Sequence, residues 1–98
     1  MRSSLSPLAQ QDLVSLEEYL EERFGQRVAD RFYEDVWKAM SAVAAMPYIG
    51  QGLTQRQDTT RKLLVGGKTW MLYRIRKGEI RILRFFDART NPENCRLD

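Results

Sequence analysis

The sequence predicts an α+β domain in which an N-terminal helical hairpin packs on a small, mainly antiparallel sheet, in the order β-α-α-β-β-β. Three observations lead there. The first half carries two apolar stripes at helical spacing, the middle is aperiodic and holds glycines, and the second half contains three short strand-like runs separated by glycine turns. The 98 residues suit one compact domain spanning 1–98. With 43% hydrophobic, 10% aromatic and 30% charged residues, the chain is too apolar for a disordered segment and too charged for a membrane protein.

The first helix opens at Ser6-Pro7, because Ser can accept from the first free amides and Pro fits a position where its missing N–H costs nothing. Leu13, Leu16, Leu20 and Phe24 then recur every three or four residues and lay one apolar stripe. Gly25 supplies the backbone freedom that ends this helix. A second stripe, Val28, Phe32, Val36, Met40 and Val43, begins almost at once, so the short Gly25-Gln26 join folds the two helices back on each other. Met46-Pro47 stops the second helix, since the residue before Pro is pushed out of the helical region.

Residues Tyr48 to Thr60 lack periodicity and read as a surface loop whose length suits a binding role. Arg61 to Val65 forms a short strand, and Gly66-Gly67 a turn. Trp70 to Arg76 and Glu79 to Phe86 form a hairpin around Lys77-Gly78. That turn sets Arg76 against Glu79, Ile75 against Ile80, Arg74 against Arg81, and Tyr73 against Ile82. One face, Met71, Tyr73, Ile75, Ile80 and Ile82, then covers the helices. The other carries Arg74, Arg76 and Arg81 beside Trp70, Leu72, Leu83 and Phe85.

Charge is unevenly placed. Residues 1–50 hold five Lys/Arg and eight Asp/Glu, leaving eleven and five for residues 51–98, so a net charge of +3 divides into −3 and +6. A basic C-terminal half is either a solvated sheet face or a site for an acidic protein or nucleic acid. No apolar run approaches the roughly 18 residues of a membrane span, and Met1-Arg2-Ser3-Ser4 lacks the apolar core of a signal peptide, so a cytoplasmic location without membrane contact is expected. One cysteine, Cys95, and no histidine argue against a disulfide framework, a metal site or a metal cofactor. No other cofactor is expected.

Several segments, in order, resemble the RelE/ParE toxin superfamily. Leu5-Ser6-Pro7-Leu8-Ala9-Gln10-Gln11-Asp12-Leu13 is similar to the family's opening helix, with Tyr19 and Phe24-Gly25 at its aromatic and helix-end positions. Met46-Pro47-Tyr48-Ile49-Gly50 is similar to its "hydrophobe-Pro-x-x-Gly" segment, and Arg61 to the arginine that opens its second strand. Leu72-Tyr73-Arg74-Ile75 resembles its "FYRV" strand, and Ile82-Leu83-Arg84-Phe85-Phe86-Asp87-Ala88-Arg89 its last strand and exit. The family order adds Met1 to Leu5 as a short edge strand. Where the family commonly has His, this chain has Asp87.

The resemblance implies the toxic, growth-inhibiting component of a type II toxin-antitoxin system, of the kind that stabilises plasmids, neutralised by a ParD-like or related antitoxin in a hetero-oligomer. Two targets follow from its two branches. A ParE-like member inhibits DNA gyrase by binding it, and the long helical hairpin favours that branch. A RelE-like member is a ribosome-dependent mRNA endoribonuclease, with Arg61, Arg84, Asp87 and Arg89 as the candidate catalytic set. An inactive member that only binds its partner is the third possibility. Cleavage by 2′-OH attack needs a proton acceptor, a proton donor and cations, and only the cations are obvious here. The target-binding candidates are Arg61, Arg74, Arg84 and Arg89. The antitoxin-binding candidates are Tyr33, Trp37, Leu72, Arg74, Arg76 and Arg81, with the aromatics and Leu72 expected along one apolar seam. Tyr73 reads as core.

Overall fold

The computed structural model describes residues 1–53 and 59–89. A short first strand, β1 (Arg2–Leu5), leads into helices α1 (Pro7–Phe24) and α2 (Gln26–Ala45), followed by β2 (Gln51–Gly52), β3 (Thr60–Val65), β4 (Thr69–Arg76) and β5 (Glu79–Asp87). The five strands form one sheet in the order β1-β5-β4-β3-β2. β1 pairs parallel to β5, whereas β2 with β3, β3 with β4, and β4 with β5 pair antiparallel. The α+β architecture is therefore as the sequence predicts, with one addition: the loop after α2 contains the two-residue edge strand β2.

Ser6 begins α1 and ties it to the sheet. Its Oγ accepts from the Ala9 amide at 3.0 Å and donates to the Leu83 carbonyl at 2.8 Å, while its own amide continues the β5 ladder to the Ile82 carbonyl. Beyond Ile82, β1 no longer covers the edge of β5, and Asp12 takes over. Its carboxylate accepts the Phe85 amide at 2.9 Å and a two-pronged bond from Arg84, at 2.7 and 3.1 Å. A strand edge otherwise open to pairing is thus closed by a side chain of the first helix.

Gly25, at a φ of +93°, makes the turn into α2 alone. Ala29, Phe32, Val36, Ala39 and Val43 then bury one face of α2 against the sheet. Most of them join Ala9 and Leu13 from α1 and Met71, Tyr73, Ile75, Ile80, Ile82 and Phe85 from the sheet in the main core. Phe24 and Val28 belong to the sequence stripes but stay largely exposed at the hairpin tip.

The β4–β5 register is the one the Lys77-Gly78 turn predicts, and both turn residues have positive φ, 53° and 76°. The pairing then slips between Leu72 and Tyr73, so that Leu72 faces Arg84 and Met71 faces Phe85. Leu83 is the extra residue of a β-bulge and lies, with Arg84, opposite Leu72. This corrects the expected faces: Phe85 turns inward to the helices, and Phe86 takes its place outside.

Leu72 is corrected as well. It is fully buried, in a second small core with Leu53 and Leu83, flanked by Trp70 and Phe86. It lies on the sheet face away from the helices, so it cannot share an exposed seam with Tyr33 and Trp37 of α2. Among the described residues, no helix is long and apolar enough to cross a membrane.

Candidate functional site

Two surfaces and one loop gather the residues that chemistry would use. The first surface is the sheet face away from the helices. Arg74 and Arg81 sit directly opposite each other on β4 and β5, an arrangement that repels. Each leans outward to a hydroxyl on the flanking strand: Arg74 Nε donates to Thr60 Oγ1 at 3.1 Å, and Arg81 Nη1 to Ser4 Oγ at 3.0 Å. Arg76 is exposed one pleat further along. At the other end of this face the Lys62 ammonium stands 4.4 Å from the centre of the Trp70 ring, beside the exposed Leu64. The face is basic at one end and apolar at the other, with Leu53 roofing the apolar part.

The second surface lies on α2. Tyr33 and Trp37, one turn apart, project away from the buried stripe of the helix and are 53% and 68% exposed. At the hairpin tip opens a cleft of about 380 Å³, lined by Leu20, Phe24, Val28, Phe32 and Val65 with Arg31, Asp35 and Lys68 among its polar walls. Sequence reasoning missed it, because it exists only where the Gly66-Gly67 turn comes up against α2. The stripe positions Phe24 and Val28 were its visible signal.

The loop is the segment from Met46 to Gly50, and Tyr73 and Arg61 hold it. The Tyr73 hydroxyl donates to the Pro47 carbonyl at 2.7 Å and accepts from the Gly50 amide at 2.8 Å. Arg61 Nη1 donates to the Gly50 carbonyl at 2.6 Å and reaches the Tyr48 carbonyl at 3.4 Å, with its guanidinium 5.0 Å from the centre of the Tyr48 ring. Burial pushes the Tyr73 phenol above its ordinary pKa of 10, against the opposing pull of the Gly50 amide and the Arg61 charge. The hydroxyl therefore stays protonated and keeps its donor role near neutral pH.

The remaining candidates are engaged elsewhere. Arg84 is held by Asp12, with their side chains 19% and 16% exposed. Asp87 and Arg89 form an exposed pair: Asp87 accepts the Arg89 amide at 2.8 Å and both prongs of its guanidinium at 3.0 Å. Those hydrogen bonds hold the Asp87 carboxyl at about 2, below its usual 3.8, so it is ionised at neutral pH and a weak base. Arg61 lies opposite Tyr73, on the helix side of the sheet, whereas Arg74 is on the far side. The structure thus brings Asp87 and Arg89 together but divides the candidate set Arg61, Arg74, Arg84 and Arg89 among separate places. Cys95 lies outside the described residues. Among the described residues, no cluster of three His, Cys, Asp or Glu side chains could hold a metal ion.

The chain is similar to known proteins. A family model described as "ParE toxin of type II toxin-antitoxin system, parDE" matches residues 4–92. A solved structure of the chromosomal ParDE toxin-antitoxin system from P. aeruginosa superposes with a TM-score of 0.74 at 19% identity, covering 89% of this chain and 95% of that one. A conserved hypothetical protein from Helicobacter pylori, HP0894, aligns at 15% identity with a TM-score of 0.45, over 91% and 96% of the two chains. No curated protein matches the sequence.

Proposed function

The chain belongs to the ParE toxin family of type II toxin-antitoxin systems, and from that premise we propose that it arrests growth by binding DNA gyrase and is neutralised by a cognate antitoxin. The observation that carries this reading is the family match across residues 4–92, which takes in both helices and four of the five strands whole. The chemistry of the exit segment supports binding over catalysis. Strand cleavage by a neighbouring hydroxyl requires a base and an acid, and the carboxylate in that segment, Asp87, is tied up by Arg89 and too weakly basic to serve.

The antitoxin surface in this reading is discontinuous. Arg74, Arg76 and Arg81 form a basic patch on one sheet face, while Tyr33, Trp37 and the hairpin-tip cleft belong to the helical side. A rigid partner could cover one or the other. An acidic tail that is disordered when free can wrap the sheet edge and reach both, folding as it binds.

The test of this function is expression. The chain produced alone should stop colony formation, and co-production of the antitoxin from the neighbouring reading frame should restore it. Undisturbed growth with ample folded protein in the cell would remove the toxin reading.

A further inference from the structure

On the face away from the helices, the end of the sheet nearest the Lys77-Gly78 turn carries arginines in two neighbouring rows. In one row Arg2 of β1 and Arg76 of β4 stand on either side of Glu79, roughly 10 Å apart at the spacing of paired strands. In the next row, roughly 7 Å along the strands, Arg81 faces Arg74 directly, with Ser4 and Thr60 as their outer neighbours. Arg2, Arg76 and Arg81 are exposed and Arg74 is half-buried. Glu79 is the one acid in these two rows, so four guanidinium groups stand around a single carboxylate. Two like charges set opposite each other weaken a sheet. An anion placed between them turns that repulsion into two attractions, so the arrangement makes better sense as a site than as a device of folding.

We propose that this end of the sheet binds the phosphate backbone of duplex DNA. What surrounds the arginines selects that partner. A bound peptide draws most of its affinity from apolar anchors, yet Leu64 is the one large apolar strand residue left exposed, and it stands opposite Trp70 at the far end of the face. A single nucleic-acid strand is held by aromatic rings on which its bases stack. Trp70 is also at the far end, and the Lys62 ammonium covers its ring. Charge and hydroxyls with neither an apolar anchor nor a stacking ring suit a duplex, whose bases are already stacked and whose phosphates attract cations without regard to sequence. A DNA duplex carries one negative charge per about 1.7 Å of its axis, so a patch of this width meets several phosphates at once. The choice of DNA over RNA rests on the gyrase reading, since DNA is the duplex that a gyrase-binding protein meets on its target.

Fluorescence anisotropy of a labelled DNA duplex of about 20 base pairs, titrated with the full chain between about 50 and about 200 mM salt, tests this. Wild type should bind two unrelated sequences alike, and log affinity should fall against log salt with a slope of about −3 to −4, as for three or four neutralised phosphates. Arg76→Gln combined with Arg81→Gln should bind at least about tenfold more weakly at the lower salt, with a slope shallower by about two. Arg76→Gln alone should change the slope by about one. Arg27→Gln with Lys38→Gln removes two exposed cations of α2 instead and, at the same net charge as the first pair, should stay within about twofold of wild type. Thermal melting checks that the variants fold. No binding by wild type at the lower salt, or equal loss in the two double variants, would overturn the site. Tighter binding of a single strand, of an RNA duplex or of a poly-glutamate peptide would overturn it too, the last by giving the face to an acidic protein. Growth arrest and gyrase inhibition are scored separately. Their absence removes the toxin reading and leaves a measured duplex site standing, whereas their presence without duplex binding keeps that reading and removes this site.

Discussion

Replacing Gly50 with Ala should be the most destabilising single-methyl change in this chain. A Cβ at that position would lie 2.5 Å from the Tyr73 hydroxyl oxygen, 2.8 Å from its Cε1 and 2.8 Å from the Lys62 carbonyl oxygen. Tyr73 is fully buried and Lys62 is in a paired strand, so neither can step aside cheaply. Overpacking of this kind costs about 2–3 kcal/mol, which for a domain of this size lowers Tm by roughly 10–20 °C. Gly52, two residues on, has nothing among the described residues within 4 Å of where an added methyl would sit and provides the control; Gly52→Ala should melt close to wild type. The Gly50→Ala effect should also shrink when combined with Tyr73→Phe, because the nearest clashing atom is then gone. Strict additivity of the two changes would mean that the hydroxyl does not seat the loop.

The second large effect concerns association. Changing Arg74, Arg76 and Arg81 together to Glu turns three positive charges on one sheet face into three negative ones. If an acidic antitoxin tail first meets the toxin there, its on-rate at low salt should fall by roughly tenfold to a hundredfold. The difference should close as salt rises and the Debye length shortens. Dissociation should change less if apolar contacts on the helical side hold the bound tail. Stopped-flow association at two salt concentrations reads this directly. Equal rates for variant and wild type at both would place antitoxin docking elsewhere. Because Arg74 donates to Thr60 Oγ1 and Arg81 to Ser4 Oγ, the melting temperature of the variant is measured beside its rates.

Much of the architecture is legible in the residues because local signals agree with one another. Ser6-Pro7, Gly25 and Met46-Pro47 mark helix ends by backbone chemistry, and the Lys77-Gly78 turn fixes four cross-strand pairs. The reading fails where tertiary structure decides. Nothing in Ile82-Leu83-Arg84-Phe85 announces a bulge, for there is no Gly or Pro, so strict alternation carries Phe85 to the wrong face. The roof of Leu53 over Leu72 and Leu83 comes from an aperiodic loop and has no pattern to read. β2 is two residues long, too short for any periodicity.

The candidate site is legible in residue type and less so in place. Arg61, Arg74, Arg84, Asp87 and Arg89 stand out as charges along the strands. Sequence position does not say that Arg84 is taken by Asp12, 72 residues earlier, or that Arg61 reaches back to Gly50. Asp87 with Arg89 is the exception, a pairing only two residues apart that chain proximity suggests. Tyr73 reads correctly as core, yet its hydroxyl has a further task, seating the loop that carries Met46, Tyr48 and Ile49. Exposure of those three cannot be read, since apolar residues beside a proline look buried.

If the chain disables its target by binding and not by cutting RNA, one measurement shows it most directly: purified toxin, with and without its antitoxin, is added in parallel to gyrase supercoiling reactions and to ribosomes stalled on a defined message. Supercoiling should then stop and resume when antitoxin is added, and the message should remain whole. Specific cleavage of that message in the ribosomal A site, with supercoiling unaffected, would contradict it.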